Sequence, residues 1–142
     1  MTLGIDIGGT NVSLGLVSQG VIREAFSAPS FPLDATMEQT LECLSDYIRH
    51  IITPETLKIG IGVPSVVDLK DGIVYDTQNI PSWKEVPLKA YLEDRFQIPV
   101  AVNNDANCYA LGIYAQYPVT ALPELLVAIT LGTGVGMGIV DL

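Results

Sequence analysis

Hydrophobic and polar residues alternate from Leu3 to Val17 (LGIDIGGTNVSLGLV), interrupted by a glycine-bearing bend. Leu3, Ile5 and Ile7 fall on one side of a first strand and Asp6 on the other, and Val12, Leu14 and Leu16 resume the alternation in a second. Gly20 marks another turn, and Val21 to Ser27 reads as a third strand, ended by Pro29 and Pro32. The period then changes. Met37, Leu41, Leu44, Ile48 and Ile51 recur at spacings of three and four, which predicts an amphipathic helix capped by Asp34 or Thr36. Lys58 to Pro64 (KIGIGVP) reads as a buried strand whose Gly60 and Gly62 face a close backbone or a ligand. Asp71-Gly72 signals a hairpin that returns through Ile73 to Tyr75, and Asp76 to Trp83 (DTQNIPSW) reads as a surface loop over a cleft. Pro87 opens a helix with Leu88, Tyr91, Leu92 and Phe96 on its apolar stripe. Ile98 to Val102 is a short buried strand, Ala106 to Tyr117 a helix closed by Pro118, and 119–123 a linker. Leu125 to Leu142 repeats the opening theme of strand, glycine turn and strand.

This order of elements predicts an α/β architecture. The first three strands suit an antiparallel meander on one edge, and the later strands, separated by helices, run parallel to the first. Such a mixed five-stranded sheet with flanking helices is what an actin-like, ribonuclease-H-type ATPase lobe requires. The last hairpin has no helix after it to cover its sheet, and an open strand pair is an incomplete unit. The expected division is therefore an N-terminal lobe over residues 1–118, then a linker and the first hairpin of an otherwise missing second lobe over 119–142.

Composition narrows the classes. Of 142 residues 49% are hydrophobic, enough for a packed core rather than a disordered chain. Sixteen acidic residues against seven basic ones leave a formal charge of −9, which argues against a nucleic-acid partner. A nucleotide is still compatible, since backbone amides and a magnesium ion can hold one. No apolar run reaches the ~20 residues of a membrane span, and no basic, apolar leader follows Met1. With Cys43 and Cys108 too isolated for a disulfide framework or zinc site, the expected location is the cytoplasm.

The chemistry concentrates at the glycine bends. Gly8 and Gly9 permit positive φ and uncover backbone amides, and Thr10 and Asn11 add polar side chains, so the bend can wrap an anion. Asp6 beside it can organise a metal ion. An ordinary hairpin turn explains the same residues. It is neither a Walker A loop nor a dinucleotide fingerprint, because no lysine follows and a strand comes next. In the second hairpin Thr130, Thr133, Gly134 and Gly136 occupy the corresponding places. Asp105 lies where a buried strand meets a helix, near the helix's positive end, where a carboxylate can accept a proton. Asn104 beside it can donate and accept at once. Either residue can equally serve as a plain N-cap.

DIGGT, GVP, NNDAN and LGTGVG, in this order and spacing, resemble the ROK family of bacterial sugar kinases and repressors. The resemblance runs over the whole chain and corresponds to roughly the first half of a member. It implies a glucokinase-like, ATP- and Mg²⁺-dependent hexose kinase lobe, incomplete for catalysis by itself. Asp6, Gly8, Gly9, Thr10 and Asn11 would form the first phosphate loop, with Asp6 on the metal directly or through water, and Thr133 and Gly134 the second. Asp105 would be the catalytic base, and Asn104, Asn79 and Ser65 would face a monosaccharide. Three departures stand out: Ser65 where many members have glycine, Asn103 where glutamate is common, and Asn11 where many have lysine. The resemblance leaves a homodimer open. The rival it raises is a non-catalytic sugar-sensing domain of a transcriptional regulator.

Overall fold

The computed structural model describes residues 1–118, 123–132 and 134–141. Strands β1 (Thr2–Ile7), β2 (Asn11–Ser18) and β3 (Val21–Pro29) form the predicted meander. Helix α1 (Met37–Ile51) leads to β4 (Lys58–Val63), then to the two-residue strands β5 (Val67–Asp68), β6 (Ile73–Val74) and β7 (Val86–Pro87). Helix α2 (Leu88–Phe96), strand β8 (Val100–Asn104), helix α3 (Asp105–Tyr114) and the hairpin β9 (Leu125–Leu131) and β10 (Val135–Asp141) complete the order. The main sheet runs β3-β2-β1-β4-β8, antiparallel over its first three strands and parallel from β1 through β4 to β8. The mixed five-stranded sheet expected from the sequence is therefore present.

Its two faces differ because side chains alternate. Leu3, Ile5 and Ile7 of β1 join Leu14, Leu16, Ile59, Ile61 and Val102 in a buried core with Leu41, Leu44 and Ile48 of α1 and Leu88 and Leu92 of α2. Thr36, not Asp34, caps α1, in a reciprocal capping box with Gln39. The opposite face is built from small residues. Ala25, Gly15, Gly4, Gly60 and Ala101 pair in register across all five strands, so the sheet presents bare backbone there. The next row toward the strand ends reads Ser27, Ser13, Asp6, Gly62 and Asn103.

Several expectations need correction. Strand β8 begins two residues later than predicted and continues through Asn103 and Asn104, because the parallel ladder to β4 pairs Gly62 with Asn103 and Val63 with Asn104. Backbone pairing is indifferent to those polar side chains. The stretch DTQNIPSW is not merely a surface loop: Thr77, Ile80 and Trp83 are all buried, and the Trp83 indole N–H donates to Thr40 Oγ1 at 2.7 Å. Helix α3 ends at Tyr114 rather than Tyr117. Neither Gly8 nor Gly9 has positive φ; among the described residues the glycines that do are Gly20 and Gly72. Space, not dihedral freedom, calls for glycine at position 8, where the neighbour is backbone, while at position 9 the neighbour is a side-chain end. A Cβ on Gly8 would lie 2.9 Å from the Asn11 carbonyl oxygen, and one on Gly9 2.8 Å from the Asn79 side-chain nitrogen.

The final hairpin packs against α3 through a seam of small residues. Ala106 and Ala110 are buried, and a Cβ on Gly138 would stand 2.6 Å from the Ala106 carbonyl carbon. Leu126, Ala128 and Val140 close over Ala110 on this side, while Val127, Ile129, Met137 and Ile139 face outward. The expected linker at 119–123 lies, apart from Pro123, outside the described residues.

Candidate active site

A cavity of about 850 Å³ opens over the small-residue face of the sheet, between β1, β4 and α3. Asp6, Ser13, Gly62, Asn103, Asp105 and Thr130 are among the residues that line it. The geometry follows from the sheet register. Asp6 pairs with Gly62 across one interstrand step, about 4.8 Å. A Cβ on Gly62 would meet the Asp105 Cα at 3.4 Å and the Cys108 Sγ at 3.5 Å, so the first turn of α3 rests directly on this glycine. Because Gly62 has no side chain, nothing separates the Asp6 strand from the Asp105 helix turn.

Electrostatics agrees with that proximity. Asp6 holds its proton more tightly than an ordinary aspartate, first because its carboxyl is partly desolvated and then because of the Asp105 charge. The Cys108 thiol is pushed up by burial and then by the charges of Asp105 and Asp6. Two carboxylates converge on one cavity, and no lysine or arginine lines it among the described residues. Hard oxygen donors of this kind suit Mg²⁺, which is bound by one or two carboxylates plus substrate phosphates rather than by a dedicated protein cage. Among the described residues no cluster of three or more His, Cys, Asp or Glu exists that would form such a cage.

In the first bend the Gly8 N–H donates to the Asn11 carbonyl at 2.9 Å and closes the turn. Ser30 secures it from the far side, its hydroxyl donating to the Gly8 carbonyl at 2.8 Å and its N–H to the Thr10 carbonyl at 2.8 Å. Thr10 and Asn11 are exposed at the tip. The second bend is closed in a similar way, the Gly132 N–H donating to the Gly134 carbonyl at 3.0 Å. Gly134 has open space around it, whereas Thr133 lies outside the described residues. Among the described residues of this hairpin, Thr130, near the end of β9, is the one that lines the Asp6 and Asp105 cavity.

The residues expected on the sugar side fall into two groups. Asn104 and Ser65 come together: the Asn104 amide donates to the Ser65 carbonyl at 3.2 Å, while its oxygen caps α3 by accepting from Ala106 N–H at 3.0 Å and Asn107 N–H at 3.3 Å. The N-cap reading of Asn104 is therefore realised, and it doubles as a cross-link between β4 and α3. The Ser65 hydroxyl is engaged with the Tyr75 carbonyl, tying the β4 exit to the arm formed by β5 and β6. This is what serine contributes in place of glycine at that turn. Asn79 stands apart from this pair, exposed and lying over Gly9.

Asn107 is a residue that sequence reasoning passed over. Its amide donates to Asn103 Oδ1 at 3.3 Å, and with Asn103, Asn104, Ser65 and Met137 it lines a smaller cavity of about 400 Å³. The available signal was its position one helical turn after Asn103, on the face that Asn104 begins.

Comparison with known proteins accords with this geometry. A glucokinase of Streptomyces coelicolor is 33% identical over 141 residues, which is 99% of this chain and 43% of the relative. An N-acetyl-D-glucosamine kinase of Escherichia coli is 32% identical over 148 residues, 99% of this chain and 46% of the relative. The structure of a ROK family glucokinase from Streptomyces griseus in complex with glucose and AMPPNP superposes with a TM-score of 0.84 at 34% identity, covering 99% of this chain and 44% of that one. The chain thus spans somewhat under half the length of the relatives it matches and shares the actin-like ATPase fold of these sugar kinases. The sequence profile of the ROK family matches residues 2–141, and the chain belongs to that family.

Proposed function

We propose that this chain is the N-terminal lobe of an ATP-dependent hexose kinase of the glucokinase type, with residues 1–118 as the lobe and 119–142 as the linker and first hairpin of a second. The observation that carries the reading is the convergence of Asp6 and Asp105 on one cavity between the sheet and α3. Similarity to a glucokinase and an N-acetyl-D-glucosamine kinase supports a hexose as acceptor, and likeness to a glucokinase complexed with glucose and AMPPNP supports ATP as donor.

The roles follow from placement. Asp105, at the first position of α3, accepts the proton of a sugar hydroxyl as that oxygen attacks the γ-phosphorus, and the bond to the β–γ bridging oxygen breaks to release ADP. Asn104 presents its remaining amide hydrogen beside it, and Asn79 an unspent amide, to sugar hydroxyls. Neither bend carries a basic residue, so backbone amides and the hydroxyls of Thr10 and Thr133 hold the phosphates, with Gly8, Gly9, Asn11 and Gly134 shaping the bends. Asp6 would hold Mg²⁺, directly or through water. When bound, that ion offsets the charge of the phosphates and of the paired carboxylates.

The test is a coupled ADP-release assay on the complete gene product with a panel of hexoses, repeated on Asp105→Asn. Turnover is expected to fall by roughly 10²–10⁴-fold, with sugar binding much less affected. An Asp105→Asn protein that kept its turnover would refute the assignment.

A further inference from the structure

We propose that Gly9, a residue of the nucleotide-side bend, is a positioning residue for the acceptor sugar, because it forms the seat on which the Asn79 amide rests. The proposal builds on the hexose-kinase reading above. Three observations carry it.

First, the conformation at Gly9 does not require glycine, since its φ is not positive, but the exposed Asn79 amide lies directly over it. A Cβ there would lie 2.8 Å from the Asn79 nitrogen and 3.1 Å from its Cγ, closer than carbon can pack. Second, the segment that carries Asn79 is pegged. Ile80 N–H donates to the Thr77 carbonyl at 3.1 Å, Trp83 N–H to the Ile80 carbonyl at 2.8 Å and Thr77 N–H to the Trp83 carbonyl at 3.2 Å, with all three side chains buried. The Asn79 backbone therefore cannot retreat cheaply, and an added methyl group would rotate the amide instead. Third, the Asn79 amide is unspent. Asn104 commits its oxygen to the α3 cap and a hydrogen to Ser65, and the Ser65 hydroxyl is committed to Tyr75. Asn79 has no side-chain hydrogen bond among the described residues, so its donors and acceptor are available to a ligand. Contact with Gly9 is what sets their direction.

The bend that serves the nucleotide thereby also aims a sugar ligand, which couples the two substrates through one glycine. The experiment is a double-mutant cycle on the complete gene product with Gly9→Ala, Asn79→Ala and the pair. Sugar and ATP KM are measured for each, and melting curves confirm folding. Gly9→Ala is expected to raise the sugar KM about tenfold, the scale set by misplacing a binding group by a fraction of an ångström. In the Asn79→Ala background, where nothing remains to be displaced, the same substitution should change the sugar KM less than twofold. Any effect on ATP KM should be the same in both backgrounds. Equal factors on sugar KM in the two backgrounds would overturn the proposal. A parent protein with no turnover on any hexose would instead sink the kinase reading. The seat is then read directly by NMR: Gly9→Ala must shift the Asn79 side-chain amide signals, and their failure to move would overturn it.

Discussion

The packing of the last hairpin on α3 makes a sharp prediction at Gly138. Its backbone is not in the left-handed region, so Gly138→Ala carries no dihedral penalty and tests space alone. The added methyl carbon would stand 2.6 Å from the Ala106 carbonyl carbon and 2.9 Å from the Ala110 Cβ. Carbon atoms settle at about 3.5 Å or more, so β10 and α3 must separate by about 1 Å. Backbone atoms of a helix turn cannot rotate aside as a side chain end would, so the strain falls on the interface itself. Overpacking of this kind costs about 1–3 kcal/mol, which lowers a melting temperature by several degrees in a protein of this size or somewhat larger. The same displacement moves Thr130 relative to Asp105 in the shared cavity, and a misplacement of about 1 Å is worth up to about 10²-fold in turnover. The assay pairs thermal melting with hexose-dependent ADP release for parent and Gly138→Ala. A variant that matched the parent in both would show that β10 does not bear on Ala106, and the shared cavity would lose its second wall.

Other consequences are as direct. Because partial burial and then the Asp105 charge raise the Asp6 pKa in the folded state, ionising Asp6 costs stability as pH rises above the ordinary carboxylate range. Asp6→Asn should therefore melt higher than the parent at neutral pH, with the advantage shrinking as pH falls toward about 4, while magnesium-dependent turnover is lost. A lower melting temperature at neutral pH would contradict the paired-carboxylate geometry. Trp83→Phe removes the buried bond to Thr40 and should cost about 1–3 kcal/mol by urea denaturation. It should also raise the sugar KM through the Asn79 segment; an unchanged sugar KM would mean that the peg does not govern Asn79.

Much of the architecture is written in local pattern. Alternation in β1 and β2, the three-and-four spacing of α1 and the Asp71-Gly72 turn each need only their own neighbours, and the order of those elements implies the mixed sheet. The family resemblance carried by DIGGT and NNDAN points to Asp6 and Asp105, and the fold brings both to the lining of one cavity. What lies between distant segments is another matter. That Trp83 is buried in a polar-looking stretch depends on Thr40, and that a side chain at position 9 would displace an amide depends on Asn79. Gly62 and Gly138 matter because Asp105 and Ala106 lie against them, and Ser65 spends its hydroxyl on Tyr75. A residue's period along the chain reports which face it occupies, because backbone geometry is local. Which atoms stand opposite that face is settled only when the sheet register and helix packing bring remote segments within a few ångströms.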